Sequence, residues 1–104
     1  NMTPRKIDGV IEAVHYSADG QVETVRYYER RGAVFSDRQL IARDGLIRML
    51  KARKVFFTGA RKPFQGASFE TGKQVMLAGA AGREVLTTDN APVEKDHLEG
   101  VPAF

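Results

Sequence analysis

"KIDGVIEAVHYSADGQVETVRYYER", residues 6–30, is the stretch on which the fold turns. Its first half alternates: Val10, Glu12, Val14 and Tyr16 fall on one face of an extended chain, and Ile11, Ala13 and His15 on the other. Gly9 marks a strand start or a bulge. "SADG" follows, where Asp19-Gly20 supplies the positive-φ position that a short hairpin turn requires. Residues 21–30 are then rich in β-branched and aromatic side chains and contain no proline. The expectation is an antiparallel hairpin of residues 6–16 and 21–30, around which the rest of the chain has to be built.

Downstream, Arg31-Gly32 reads as a turn and Val34-Phe35 as a short strand. Ser36 and Gln39 fit a capping box that would open a helix there. The preferred alternative pairs residues 38–42 as a strand and starts the helix at Asp44, a good N-cap, giving a helix near 44–52. Leu46, Ile47, Met49 and Leu50 then form an apolar stripe at helical spacing. So short a helix must dock on the sheet to exist in water.

"KVFFTG" (54–59) returns to strand chemistry and closes on Gly59, and "ARKPFQGAS" is a loop broken by Pro63 and Gly66. Residues 67–71 form a further short strand. "GKQVMLAGAAGREVLTT" reads as a second hairpin, with Val75 and Leu77 on one face of its first arm and Val85 and Thr87 on one face of its return. The fold class is mainly β: a small antiparallel barrel or curled sheet of SH3-like size, with one short helix. That comparison rests on size and strand count alone. Residues 2–89 make the domain, and residues 90–104 an irregular acidic tail that packs loosely or stays disordered.

Totals bound the function. At 104 residues, 42% hydrophobic and 28% charged, the chain suits one globular domain. There is no cysteine, which excludes disulfides, thiolate nucleophiles and cysteine-built metal sites. Met2 reads as the natural start, no signal sequence is visible, and no apolar run is long enough for a membrane helix. A soluble cytoplasmic protein without membrane contact is expected.

The +3 formal charge is unevenly spread. Residues 26–62 hold eleven bases (Arg26, Arg30, Arg31, Arg38, Arg43, Arg48, Lys51, Arg53, Lys54, Arg61, Lys62) against Glu29, Asp37 and Asp44, between mildly acidic flanks. Arg26, Arg30 and Arg31 adjoin Tyr27 and Tyr28, while Arg53, Lys54, Arg61 and Lys62 bracket Phe56-Phe57, with Phe64 just beyond. Lys and Arg displace counterions from phosphate, and single-strand binders add aromatic platforms for bases. On a nucleic-acid reading these seven bases contact phosphate, and Tyr27, Tyr28 and Phe64 stack. The bland reading is a solvated basic face, since arginine stems also cover apolar surface.

No catalytic pattern emerges. "ASFETGK" (67–73) misses a phosphate-binding loop at Ala67 and, one residue on, at Gln74. "DHLE" (96–99) brings Asp96, His97 and Glu99 together, but a metal needs preorganised ligands that a loose tail lacks. His15 is expected as a buried or half-buried structural histidine. No cofactor, metal or catalytic residue is assigned. The expected function is a non-catalytic binding module for a protein partner or for self-assembly, as a homodimer, with nucleic acid the alternative. An edge strand would serve the first, and the acidic tail folding on the basic face would account for the charge asymmetry.

Overall fold

A computed structural model describes residues 7–32, 34–62, 69–88 and 95–104. The chain runs β1 (Gly9–Tyr16), β2 (Val22–Arg31), β3 (Val34–Phe35), β4 (Gln39–Ala42), α1 (Arg43–Lys51), β5 (Phe56–Arg61), β6 (Phe69–Ala78) and β7 (Val85–Thr87). All seven strands join one sheet in the order β3-β2-β1-β5-β6-β7, with β4 also on β2. The fold is mainly β with one short helix, as the sequence indicates.

β1 and β2 form the expected hairpin, and Gly20 takes φ +87 in its turn. The Asp19 carboxylate accepts the Gln21 N–H at 3.2 Å and the Ser17 hydroxyl. Strict alternation fails, however. A bulge between Ile11 and Ala13 puts Glu12 out of step, so Ile11 and Val14 both enter the main core. A second irregularity, between His15 and Tyr16, does the same for Glu23 on β2.

The sheet is not purely antiparallel. β1 pairs with β5 in parallel, from Gly9↔Phe56 to Ile11↔Thr58. Parallel neighbours need a crossover, and the β3–β4–α1 excursion supplies it. α1 starts at Arg43, one residue before the expected cap. Ala42 is the N-cap without any side-chain bond, and Asp44 instead places its charge in the first turn. Leu46 is fully buried, with Ile47, Met49 and Leu50 against the core. A buried leucine of this kind contributes about 1.5–3 kcal/mol. At the far end Arg53 N–H donates to the Leu50 carbonyl and Lys54 N–H to that of Met49, a Schellman closure in which Arg53 itself takes φ 68.

β6 is one continuous strand from Phe69 to Ala78, so the short strand near 67–71 and the first arm of the second hairpin are a single element. Residues 63–68 lie outside the described residues. Its return to β7 pairs Ala78 with Val85 across the expected turn.

The sheet has two apolar faces. On one, Ile11, Val14, Val25, Tyr27, Phe56, Val75 and Leu86 pack with Leu46 of α1 and with Leu98. On the other, Val10 stands opposite both Tyr28 and Phe57. β3 and β6 are four strand spacings apart in the sheet order, roughly 19 Å if flat. Yet the Phe35 and Phe69 rings lie 4.7 Å apart, and Phe69 meets Tyr28 edge-on at 4.9 Å. The sheet therefore curls toward this face into a half-barrel, closed at one end by three rings.

Residues 95–104 carry no strand of their own, but they are tied to the domain. Asp96 has a fully buried side chain that accepts Val22 N–H and Leu86 N–H, each at 2.8 Å, and Arg43 Nε at 2.7 Å and Nη2 at 3.1 Å. One carboxylate thus joins the start of β2, β7 and the start of α1. Beyond it, Val14 and Ala103 form a parallel bridge.

Candidate functional site

The mouth of the half-barrel is an open cleft of about 730 Å³. Its floor is Glu12, Ala13 and Arg26; one wall is Thr58–Ala60 with Glu70–Lys73, and the other is the segment 99–104. β-barrel mouths are a common place for ligands and partner segments. The wall exists because β5 turns away at a register shift between Phe57 and Gly59. At Gly59 an added Cβ would stand 2.5 Å from the Glu70 carbonyl oxygen, so only glycine permits this approach of β5 to β6.

The cleft's charges are mostly paired within it. The Arg38 guanidinium reaches Glu12 at 2.8 Å and donates to the Tyr28 hydroxyl at 3.3 Å. That hydroxyl bond and the Glu12 charge raise the Arg38 pKa above its ordinary value. Lys73 pairs with Glu99, which holds the Glu99 carboxyl below its usual range. Arg26 differs: its guanidinium sits 4.5 Å over the Phe104 ring, and among the described residues no carboxylate is within ion-pair distance of it. Opposite Arg26 on β4 is Leu40, 63% exposed. The lip of the cleft is thus basic in the middle and apolar on both sides.

The basic residues do not form one footprint. Arg53 and Lys54 stand at one end of β5 and Arg61 and Lys62 at the other, roughly 20 Å along the strand. Arg61 is folded back over the Tyr28 ring at 5.0 Å and Phe69 at 5.7 Å. Arg31 pairs with Glu29 at 3.4 Å, and Arg30 Nε donates to the Gly32 carbonyl at 2.9 Å. Arg30 and Arg31 do share a sheet end with Arg53 and Lys54, because Arg30 N–H bonds Asp8 and Asp8 N–H bonds Val55.

Two of the three expected stacking platforms are not on the surface. Tyr27 and Tyr28 are 4% and 2% exposed, one in each apolar layer. Burial also raises the Tyr27 hydroxyl pKa, with Glu29 adding to it. Phe64 lies outside the described residues. Phe56 and Phe57 are both buried. His15, expected in the interior, is instead exposed, its ring between Glu23 at 3.4 Å and the Phe104 carbonyl.

"DHLE" diverges: Asp96 turns inward to Arg43, His97 bridges to Thr87, and Glu99 pairs with Lys73. Among the described residues no three His, Asp or Glu side chains gather as a metal-holding group. Nor is any helix among them long and apolar enough to cross a membrane.

An edge lies on the far side of β2, where β3 and β4 pair in succession. The step between them costs one residue of register at Ser36–Arg38. There the Ser36 hydroxyl accepts Glu29 N–H and Gln39 Nε2 and donates to the Asp37 carbonyl. This bulge leaves Gln39–Ala42 as an open run, with no strand on its outer side among the described residues. Leu40 and Val34, at 63% and 61%, are its exposed apolar side chains. The sequence reading missed Leu40, Arg38, Glu12 and Phe104 as site residues. Only Leu40 carried a local signal, as an aliphatic residue on a strand with no proline. Comparison with protein-family models, characterised proteins and solved structures gives no match.

Proposed function

We propose that this chain is a non-catalytic interaction module that self-associates by pairing the open edge of β4 with the same edge of a second copy. The observation that carries the reading is Leu40, a large aliphatic side chain 63% exposed on an edge strand that is free on its outer side among the described residues. Exposed edges are templates for further strands, and a strand pairs with its own copy about a two-fold axis. The bulge at Ser36–Arg38 limits the run to four residues, so association is weak, with Kd on the order of 100 µM. Sedimentation velocity across that range tests it. Leu40→Lys places a cation on the edge, as protected edges have, and abolishes the dimer. A wild-type chain that stays monomeric throughout overturns the reading.

The nucleic-acid alternative is narrowed by burial of Tyr27 and Tyr28 and now rests on Arg30, Arg31, Arg53 and Lys54 at one sheet end. If it holds, single-stranded DNA or RNA binds with a log–log salt slope near roughly −3, the value for four phosphates. Charge reversal at Arg53 and Lys54 halves that slope; absence of binding at low salt removes the alternative.

A further inference from the structure

β1 changes neighbours partway along one edge. Residues 9–11 pair with β5, and at Val14 the segment 101–104 takes over, also in parallel. Val14 N–H donates to the Pro102 carbonyl, and Phe104 N–H to the Val14 carbonyl, both at 2.9 Å. Val101 packs against the main core. The Phe104 ring lies under the Arg26 guanidinium and 5.8 Å from the His15 ring.

Beyond these contacts, the segment is held by the His15 Nδ1 bond to the Phe104 carbonyl oxygen at 2.5 Å. Gly100 takes φ +79 in a turn that Val101 N–H closes on the Leu98 carbonyl at 3.3 Å, with nothing within 4 Å of the place a side chain would occupy. Pro102 and Ala103 are exposed, and Phe104 is 42% exposed. The buried anchors, Asp96 and Leu98, come before this turn. Arg26, at the centre, is left with an aromatic face and no carboxylate among the described residues.

We propose that the β1 edge at Val14–His15, together with Arg26, is a recognition slot for an extended segment of a partner protein, and that residues 101–104 are its built-in competitor. The slot takes main-chain groups from the segment by strand addition, an aliphatic side chain where Val101 sits, and an aromatic ring three residues later. A segment with an acidic residue two before the ring, on the same strand face as the ring, also gains an ion pair with Arg26 that Pro102 cannot offer. This goes beyond the pairing of β4 and does not depend on it, since β4 lies on the opposite side of β2.

The test titrates capped peptides into the isotope-labelled full chain and follows the Val14 and His15 amides. The probes are Glu-Gly-Val-Pro-Ala-Phe (residues 99–104), the same peptide with Pro102→Asp, and the same with Phe104→Ala. The parent peptide shifts both amides, the acidic peptide binds several-fold tighter, and the peptide lacking the ring does not bind. A tethered competitor acts at millimolar effective concentration, so the full chain carrying Phe104→Ala binds the parent peptide at least fivefold tighter than wild type. Arg26→Gln, whose backbone bonds remain, erases the preference for the acidic peptide and serves if the first variant folds poorly. No movement at Val14 and His15 with about millimolar peptide in wild type and variants overturns the slot. So does binding indifferent to the ring. A chain found monomeric in the sedimentation experiment leaves this result untouched.

Discussion

Replacing Asp96 with alanine tests the packing argument most directly. The substitution strips two backbone N–H groups, Val22 and Leu86, of their acceptor and leaves the Arg43 guanidinium, 18% exposed, without its partner. Removing one member of a buried pair costs about 3–5 kcal/mol. Arg43 can turn toward water, and its Nη2 keeps the Glu84 carbonyl at 2.7 Å, so the lower end, about 3 kcal/mol, applies. A chain of 104 residues has roughly 5–15 kcal/mol in total, so the loss is a large share. Urea unfolding followed by circular dichroism reads it as a midpoint lowered by roughly 2 M. The Asp96→Ala, Arg43→Met double variant recovers part of the loss, because the orphaned charge is gone. A single-variant loss under about 1 kcal/mol, or strict additivity in the double variant, refutes the clamp.

Acid gives the same carboxylate a second signature. Burial pushes the Asp96 pKa up, but the Arg43 hydrogen bonds and the two backbone donors outweigh it, and the net shift is down. A lowered folded-state pKa means the ionised form favours the fold. Its contribution is complete above about pH 4, the unfolded value, and disappears as pH falls through the lower folded value. The stability difference between wild type and Asp96→Asn therefore shrinks in acid; a difference constant from pH 7 to pH 2 contradicts it. Arg53→Gly relieves a left-handed backbone at an exposed helix end and raises stability by about 1 kcal/mol in urea, whereas a decrease would mean the arginine is held there by contacts. Gly59→Ala drives a methyl against the Glu70 carbonyl and Val10 and costs roughly 2 kcal/mol or more, with amide shifts concentrated in β5 and β6. Phe69→Ala opens the ring contacts with Phe35 and Tyr28 and lowers stability by about 2 kcal/mol; an unchanged melting temperature would deny that these rings close the half-barrel.

Local chemistry explains what could be read from the chain. Asp19-Gly20 between two β-branched runs announces the first hairpin, because only such a pair turns so tightly. The stripe Leu46, Ile47, Met49 and Leu50 announces a docked helix because so short a helix persists only when packed on the sheet. Bulges leave no comparable trace. Val10 and Val14 look like partners on one face, and only the pairing partner reveals that Glu12 has shifted the register between them. Tyr27 and Tyr28 misled for a related reason. Adjacent strand residues face opposite ways, which suggests one exposed ring, but a sheet curled over a second apolar layer buries both. Asp96 was invisible as a clamp because two of its partners, Arg43 and Val22, stand 53 and 74 residues away. Charge was legible as quantity and not as place: the fold splits the bases around Phe56-Phe57 between two ends of one strand.

The late position of that clamp has a consequence during synthesis. β1 leaves the ribosome before the other described strands, but its free edge waits for β5 and then for a segment 89 residues on from His15. Val22 N–H and Arg43 likewise wait for Asp96. A nascent chain that extends past Arg43 but not yet to Asp96 therefore presents an unpaired strand and an uncompensated arginine, the conditions under which chaperones engage and neighbouring chains on a polysome pair wrongly. Such non-local closure is also slow. The described fold therefore closes only once residues 95–104 have been made, after all the described strands.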